Sequence, residues 1–299
     1  MTPLQRYIAE EIGTDHADGF ISRREALRRL GLLGLGAAAA AELLAACSRG
    51  TSGTSESATA TAGSAAAPPG ASTALPVTDI TLPGPQARTL RAAWAAAPQP
   101  RGAVLVIHEN TGLSPFIRSV TGRFAGIGYS ALAVDLLSEE GGTEAFSDPA
   151  QATAALSSVP QERFVADLQA GVAELARRVP GKKLGATGFC FGGGLDWLLL
   201  TSGTPQLAAA TPFYGPFPDN GRILTKAAVL AIYGALDHRV GATRPAAVSA
   251  LEQAGVPHET YIADGADHAF FNDTGPRYNA AASAEAWRRV VDWYGKYLN

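Results

Sequence analysis

Beyond residue 75 the chain alternates between two hydrophobic patterns. The first is short and nearly continuous, as in 103–108, which reads Ala-Val-Leu-Val-Ile-His, and again in 129–134, 184–189, 207–214 and 228–233. Residues 88–94 and 258–262 also read as strands. Continuous apolar runs, unlike alternating ones, belong to strands covered on both faces. The second pattern is helical. Residues 161–178 place Phe164, Leu168, Val172 and Leu175 along one stripe at helical spacing. Residues 115–127, the segment after 190, 243–254 and 283–297 complete the predicted helices, and Gly255 is a natural helix stop. This alternation predicts an α/β fold, a mostly parallel sheet with helices on both faces. Residues 139–159 are the least regular and read as a loop or small helix near the site.

Before residue 75 the pattern changes. Ser22-Arg23-Arg24-Glu25-Ala26-Leu27 and Arg28-Arg29 precede an uncharged run of Leu, Gly and Ala over 30–41. That run is too short to span a hydrocarbon core of roughly 30 Å. A short apolar stretch behind a basic one is the pattern of an export signal, and the paired arginines resemble the twin-arginine type. Leu44-Ala45-Ala46-Cys47 resembles a lipobox, in which the cysteine is lipidated. Residues 1–47 are therefore expected to be a signal that places the protein in the periplasm or cell envelope, with a lipid at Cys47 as its link to the membrane. Residues 48–74 are nearly all Ser, Thr, Ala, Gly and Pro and read as a disordered tether. The folded domain is expected over 75–299.

Composition narrows the function. The formal net charge is -3, and no basic stripe argues for nucleic acid. Of the two cysteines, Cys47 and Cys190, neither belongs to a C-x-x-C pair, so neither a disulfide framework nor a zinc site is indicated. No metal or cofactor is called for.

The chemistry centres on Gly188-Phe189-Cys190-Phe191-Gly192-Gly193, between a predicted strand and a predicted helix. This is the setting of a nucleophile elbow, with cysteine where serine is usual. A thiol nucleophile needs a base and a group to orient that base. In α/β hydrolases these follow as an acid and then a histidine, each after a strand. Asp237 follows the strand 228–233, and His268 follows the strand ending near 262. Asp264 and Asp267 read as turn residues, His238 as rim and His258 as a strand start. Glu109, in His108-Glu109-Asn110-Thr111-Gly112, follows the strongest strand. No second histidine completes an H-E-x-x-H zinc helix there.

The motifs at 108–112 and 188–193, the Asp237 loop and His268-Ala269-Phe270 resemble those of the dienelactone hydrolases, or carboxymethylenebutenolidases. The resemblance covers essentially all of 75–299. It implies an α/β-hydrolase fold and a Cys190–His268–Asp237 triad that opens a lactone or small ester through an acyl-enzyme. It implies that Glu109 keeps the resting thiol protonated, and that the N–H groups of Phe191 and Asn110 form the oxyanion hole. The family uses arginines to bind a substrate carboxylate, one of them a few residues after the triad histidine. Here Arg277 is the candidate, in a different register, and the other would come from around Arg163. Tyr214 is a candidate pocket residue.

Three other readings compete, one of them a serine-type esterase acting through another site, against which no G-x-S-x-G is present. A class I glutamine amidotransferase would carry glutamate two residues after its histidine, where this chain has Phe270. A non-catalytic envelope protein would use Cys190 as a redox-sensing or ligand-binding thiol. Ester hydrolysis separates that last reading from the enzyme.

Overall fold

The computed structural model describes residues 1–49 and 67–299. Residues 50–66, most of the expected tether, lie outside the described residues. In chain order the elements begin with α1 (Pro3–Ala17), α2 (Arg23–Leu32) and α3 (Ala37–Arg49). Next come β1 (Thr78–Pro83), β2 (Thr89–Ala95), β3 (Gly102–Ile107), α4 (Pro115–Gly126), β4 (Tyr129–Val134), α5 (Pro149–Ser157) and α6 (Gln161–Arg178). The remainder is β5 (Leu184–Phe189), α7 (Phe191–Thr201), β6 (Leu207–Phe213), β7 (Ala228–Gly234), α8 (His238–Gly241), α9 (Arg244–Ala254), β8 (His258–Ala263) and α10 (Ala280–Tyr297). The described residues fall into two compact units. One holds α1 to α3 with Phe146–Val159, the other Ala67–Ala145 with Pro160–Asn299.

The larger unit is built on an eight-stranded sheet of order β1-β2-β4-β3-β5-β6-β7-β8. Pairing is antiparallel at β1–β2 and β2–β4 and parallel everywhere else. Every residue of β3, β4, β5 and β7 is buried, as their continuous apolar runs predict. α4 and α10 share one face of the sheet, where Phe124 and Trp287 meet with ring centroids 5.0 Å apart. α6 and α7 share the other, where the rings of Phe164 and Phe191 lie 5.3 Å apart, edge to face. Tyr294 ties α10 to the sheet by donating its hydroxyl to the Ala186 carbonyl at 2.7 Å.

Two differences from the sequence reading, at β1 and before residue 75, and the choice made at α5 have local causes. β1 adds an antiparallel strand that lacks a continuous apolar run, because an edge strand buries little: only Leu82 is buried in it. Of the loop or small helix expected within 139–159, Pro149–Ser157 forms the short helix α5. Asp148 caps it by accepting the Ala150 N–H at 2.9 Å, and Pro149 opens it. Ordered contacts also begin before residue 75. Gly70, at φ 76°, packs so closely that a Cβ there would sit 2.8 Å from the Trp287 ring. The Leu75 N–H donates to Gly122 O at 3.0 Å.

In the smaller unit, Ile8, Ala9 and Ile12 of α1 pack with Ala26 and Leu30 of α2 and with Ala40 and Leu44 of α3. Gly34, at φ 84°, breaks the apolar run over 30–41, so it does not form one helix. Among the described residues no helix is long and apolar enough to cross a membrane. Arg23 and Arg24 are exposed at the start of α2, while Arg28 and Arg29 both bind Glu25 at 2.7 Å.

Candidate active site

The elbow forms where β5 meets α7. Cys190 sits between them at φ 56° and ψ −119°, a left-handed conformation that is costly for a residue with a side chain. Close packing explains its glycine neighbours. A Cβ on Gly188 would lie 1.9 Å from Gly192 O, and one on Gly192 would lie 2.4 Å from Ile107 O. Cys190 is 3% exposed, and its N–H donates to Phe213 O at 3.1 Å. Phe191 is the first residue of α7, so its N–H has no intrahelical acceptor.

Asp237 and His268 arrive from the ends of β7 and β8. His268 Nδ1–H donates to Asp237 Oδ2 at 2.6 Å. The other oxygen, Oδ1, accepts the Val240 N–H at 3.0 Å, which fixes the carboxylate. A ring nitrogen of His268 lies within 4.8 Å of Cys190 Sγ. His268 Nε2 is buried and makes no hydrogen bond of normal geometry among the described residues. Burial pulls the His268 pKa down. The negative charges of Cys190 and Asp237, with the Asp237 hydrogen bond, outweigh that and hold it well above its ordinary value. Burial also pushes Asp237 up, but the His268 charge and hydrogen bond and the Val240 N–H keep it below the usual carboxylate range.

The loop after β3 is braced from below. His108 Nε2 accepts the Leu136 N–H at 3.1 Å, so Nδ1 carries the proton and donates to Glu109 O at 2.6 Å. Burial lowers the His108 pKa, consistent with a neutral ring. Thr143 Oγ1 donates to Asp135 Oδ1 at 2.9 Å and accepts the Leu113 N–H at 2.8 Å. Gly112, at φ 86°, passes so close to Thr143 that a Cβ would lie 2.2 Å from its hydroxyl. This scaffold presents Glu109, which is 7% exposed, and Asn110. Asn272 Nδ2 donates to Glu109 Oε2 at 2.7 Å.

Tyr214 is fully buried, at φ 36°, with its ring edge-on to His268 at 5.2 Å and to Phe270 at 5.5 Å. It backs the imidazole. Burial, then the charges of Glu109 and Cys190, push its pKa well above the ordinary value, which places both groups in its electrostatic neighbourhood. The two arginines considered for a substrate carboxylate already have acidic partners. Arg277 Nε lies 3.3 Å from Asp267 Oδ2. Arg163 binds Glu139 at 2.6 Å and Glu140 at 2.8 Å, and donates to Leu136 O at 3.1 Å. The structure thus brings Cys190, His268 and Asp237 together, and ties Glu109 through Asn272 to the loop that carries His268. Sequence reading passed over Asn272, Thr143 and Asp135, whose roles depend on contacts between distant loops.

A strained cysteine between a parallel strand and a helix, with an aspartate and a histidine after later strands of the same sheet, is the arrangement of an α/β hydrolase. Comparison with known proteins narrows the class. The sequence profile of the dienelactone hydrolase family matches residues 90–298. A relative from Escherichia coli O157:H7, provisionally named carboxymethylenebutenolidase, is 32% identical over 213 residues, 66% of this chain and 78% of its own. One from Methylorubrum extorquens with the same provisional name is 30% identical over 223 residues, 69% of this chain and 76% of its own. The crystal structure of a provisionally named dienelactone hydrolase from Klebsiella pneumoniae superposes with a TM-score of 0.66 and 28% identity, over 74% of this chain and 99% of that one. The chain belongs to the dienelactone hydrolase family, and it is a hydrolase of carboxylic esters or lactones. The non-catalytic reading finds no support in these relationships.

Proposed function

We propose that the protein opens small lactones and esters through a thioester on Cys190. The Cys190 thiolate attacks the carbonyl carbon while His268 is an imidazolium. The Phe191 and Asn110 N–H groups receive the oxyanion, each worth on the order of 3 kcal/mol in such a site. His268 Nε2–H then protonates the leaving oxygen as the carbon–oxygen bond breaks. In the second half, His268 takes a proton from water, hydroxide attacks the thioester, and the acid leaves as the thiolate re-forms. Asp237 holds the Nδ1–H tautomer and stabilises the imidazolium in both halves. The single observation that carries this reading is the Asp237–His268 contact directed at a strained Cys190.

Two influences oppose each other at the thiol. The imidazolium favours the thiolate, and the Glu109 carboxylate disfavours it by like-charge repulsion. Glu109 acts as a brake on the resting nucleophile. With Arg163 and Arg277 bound to acids, the favoured substrates have an uncharged acyl part. The test is hydrolysis of p-nitrophenyl acetate and simple enol-lactones by the purified protein, expected to vanish in Cys190→Ala. Unchanged turnover in that variant would contradict the proposal.

The proposal extends to location: export by the twin-arginine route, with a lipid at Cys47. Its support is the exposed pair Arg23 and Arg24 at the start of α2. Changing both to lysine should leave the protein in the cytoplasm, and normal export of that variant would remove the idea.

A further inference from the structure

We infer that Asn272 is a positioning residue for Glu109. The inference rests on the reading of Cys190 as nucleophile and Glu109 as its brake, and it assigns the group that holds the brake in place.

The carboxamide is oriented by its own neighbours. Asn272 Oδ1 accepts the Thr274 N–H at 3.0 Å and the Thr274 hydroxyl at 2.7 Å. With the oxygen committed to two donors, the amide nitrogen must face the other way. There it meets Glu109 Oε2 at 2.7 Å. The partner is a carboxylate, which only accepts, so both ends of the amide agree on one orientation. The bond joins loops 163 residues apart in sequence.

The segment that carries Asn272 is itself pinned. Its N–H donates to Ala269 O at 3.0 Å, and its carbonyl accepts the Gly275 N–H at 3.0 Å. Next to it, Asp273 binds the buried Arg123 at 2.5 Å. Arg123 is fixed to α4 through Ser119 Oγ at 3.0 and 3.1 Å. On the other side, Phe270 O accepts from Asn279 N–H and from Ser283 Oγ, each at 2.9 Å. A side chain so constrained loses little freedom by holding a partner.

The chemistry of the contact matters as much as its geometry. A buried carboxylate needs a donor, and an amide supplies one without adding positive charge. Glu109 thereby keeps its full repulsive effect on the Cys190 thiolate. Within the larger unit, the charged groups around that thiolate include Glu109 from the β3 loop, His268 with Asp237 from the β8 and β7 loops, and the Arg123–Asp273 pair behind Asn272. Asn272 lies four residues after His268, so one loop carries the proton-transfer base and the clamp on the brake.

The test is a double-mutant cycle read by the rate of Cys190 alkylation by iodoacetamide as a function of pH. The variants are Asn272→Ala, Glu109→Ala and the pair, in the full chain with Cys47→Ala in all of them. Asn272→Ala is expected to lower the midpoint pH by about half a unit or more, because a loosened carboxylate repels the thiolate less. In the Glu109→Ala background the same change should shift nothing further. An equal shift in both backgrounds, or none in folded Asn272→Ala, overturns the inference. If Asn272→Ala does not fold, Asn272→Ser takes its place under the same criteria. Alkylation needs no substrate, so a failure of the ester-hydrolysis reading shows up separately, as absent turnover with the cycle intact.

Discussion

His268 Nδ1 and Asp237 Oδ2 meet at 2.6 Å across 31 residues of chain, each at the end of its own parallel strand. The contact leaves His268 Nε2 as the ring atom available to the thiol. Asp237 has its second oxygen bound by the Val240 N–H, so it cannot turn away without losing both bonds.

Removing that charge while keeping the shape should therefore be severe. Asp237→Asn is expected to lower kcat by about 10³- to 10⁴-fold, because an amide can stabilise the wrong tautomer and cannot stabilise the imidazolium. Steady-state kinetics with a p-nitrophenyl ester measures this. A loss of less than about tenfold, a little over 1 kcal/mol, would reduce Asp237 to a structural role.

Glu109→Gln should speed alkylation of Cys190 by iodoacetamide at pH 6, by about tenfold if the repulsion is worth one pH unit. Rapid labelling of the unmodified protein that Glu109→Gln leaves unchanged would mean that the imidazolium governs the thiol and Glu109 does not.

Asp196 links the α7 helix to pH stability. It is fully buried, and neither carboxylate oxygen makes a hydrogen bond of normal geometry among the described residues. Burial raises its pKa from 3.8 to about 8, against a weaker opposing pull from the Thr211 backbone. The folded state therefore binds the proton more tightly than the unfolded chain, and this group makes stability fall as pH rises from about 4 to about 8. Asp196→Asn should flatten that slope and raise the melting temperature at pH 8 by about 2–4 °C for each kcal/mol recovered. Thermal unfolding at pH 5 and pH 8 checks it. A slope identical to that of the unmodified protein would mean the carboxyl is relieved in some other way.

Gly192→Ala tests the steric basis of the elbow. The new methyl would meet Ile107 O at 2.4 Å and His108 O at 2.5 Å, both backbone atoms that cannot step aside. A destabilisation of about 2 kcal/mol or more is expected, read as a lower urea midpoint. A neutral outcome would show that the β3 loop is looser than its hydrogen bonds suggest.

What could be read from sequence follows the range of the forces involved. α6 appears over the expected residues, 161–178, because its periodicity is local and its apolar positions Phe164, Leu168, Val172 and Leu175 are all buried. The elbow was legible for the same reason, since glycine spacing and flanking apolar runs lie within a dozen residues. β1 was not, because its Thr78, Asp79 and Thr81 serve an exposed edge and give no core signal. Asp148-Pro149 is a legible cap, and α5 opens on it within the stretch read as a loop or small helix. Asn272 carried no local signal at all. Its meaning comes from Glu109, which only the sheet brings within reach. Tyr214 suggested a pocket aromatic, and the structure seats its ring against His268 and Phe270.

The most direct test of the central claim is to trap the acyl-enzyme. The purified protein is mixed with p-nitrophenyl acetate, quenched in acid within the first turnovers, digested and analysed by mass spectrometry. The account predicts one acetyl group per chain on the peptide that contains Cys190, formed together with a burst of p-nitrophenol, and neither signal in Cys190→Ala. Turnover with no acetylated Cys190 peptide, or a burst that survives in Cys190→Ala, would contradict it.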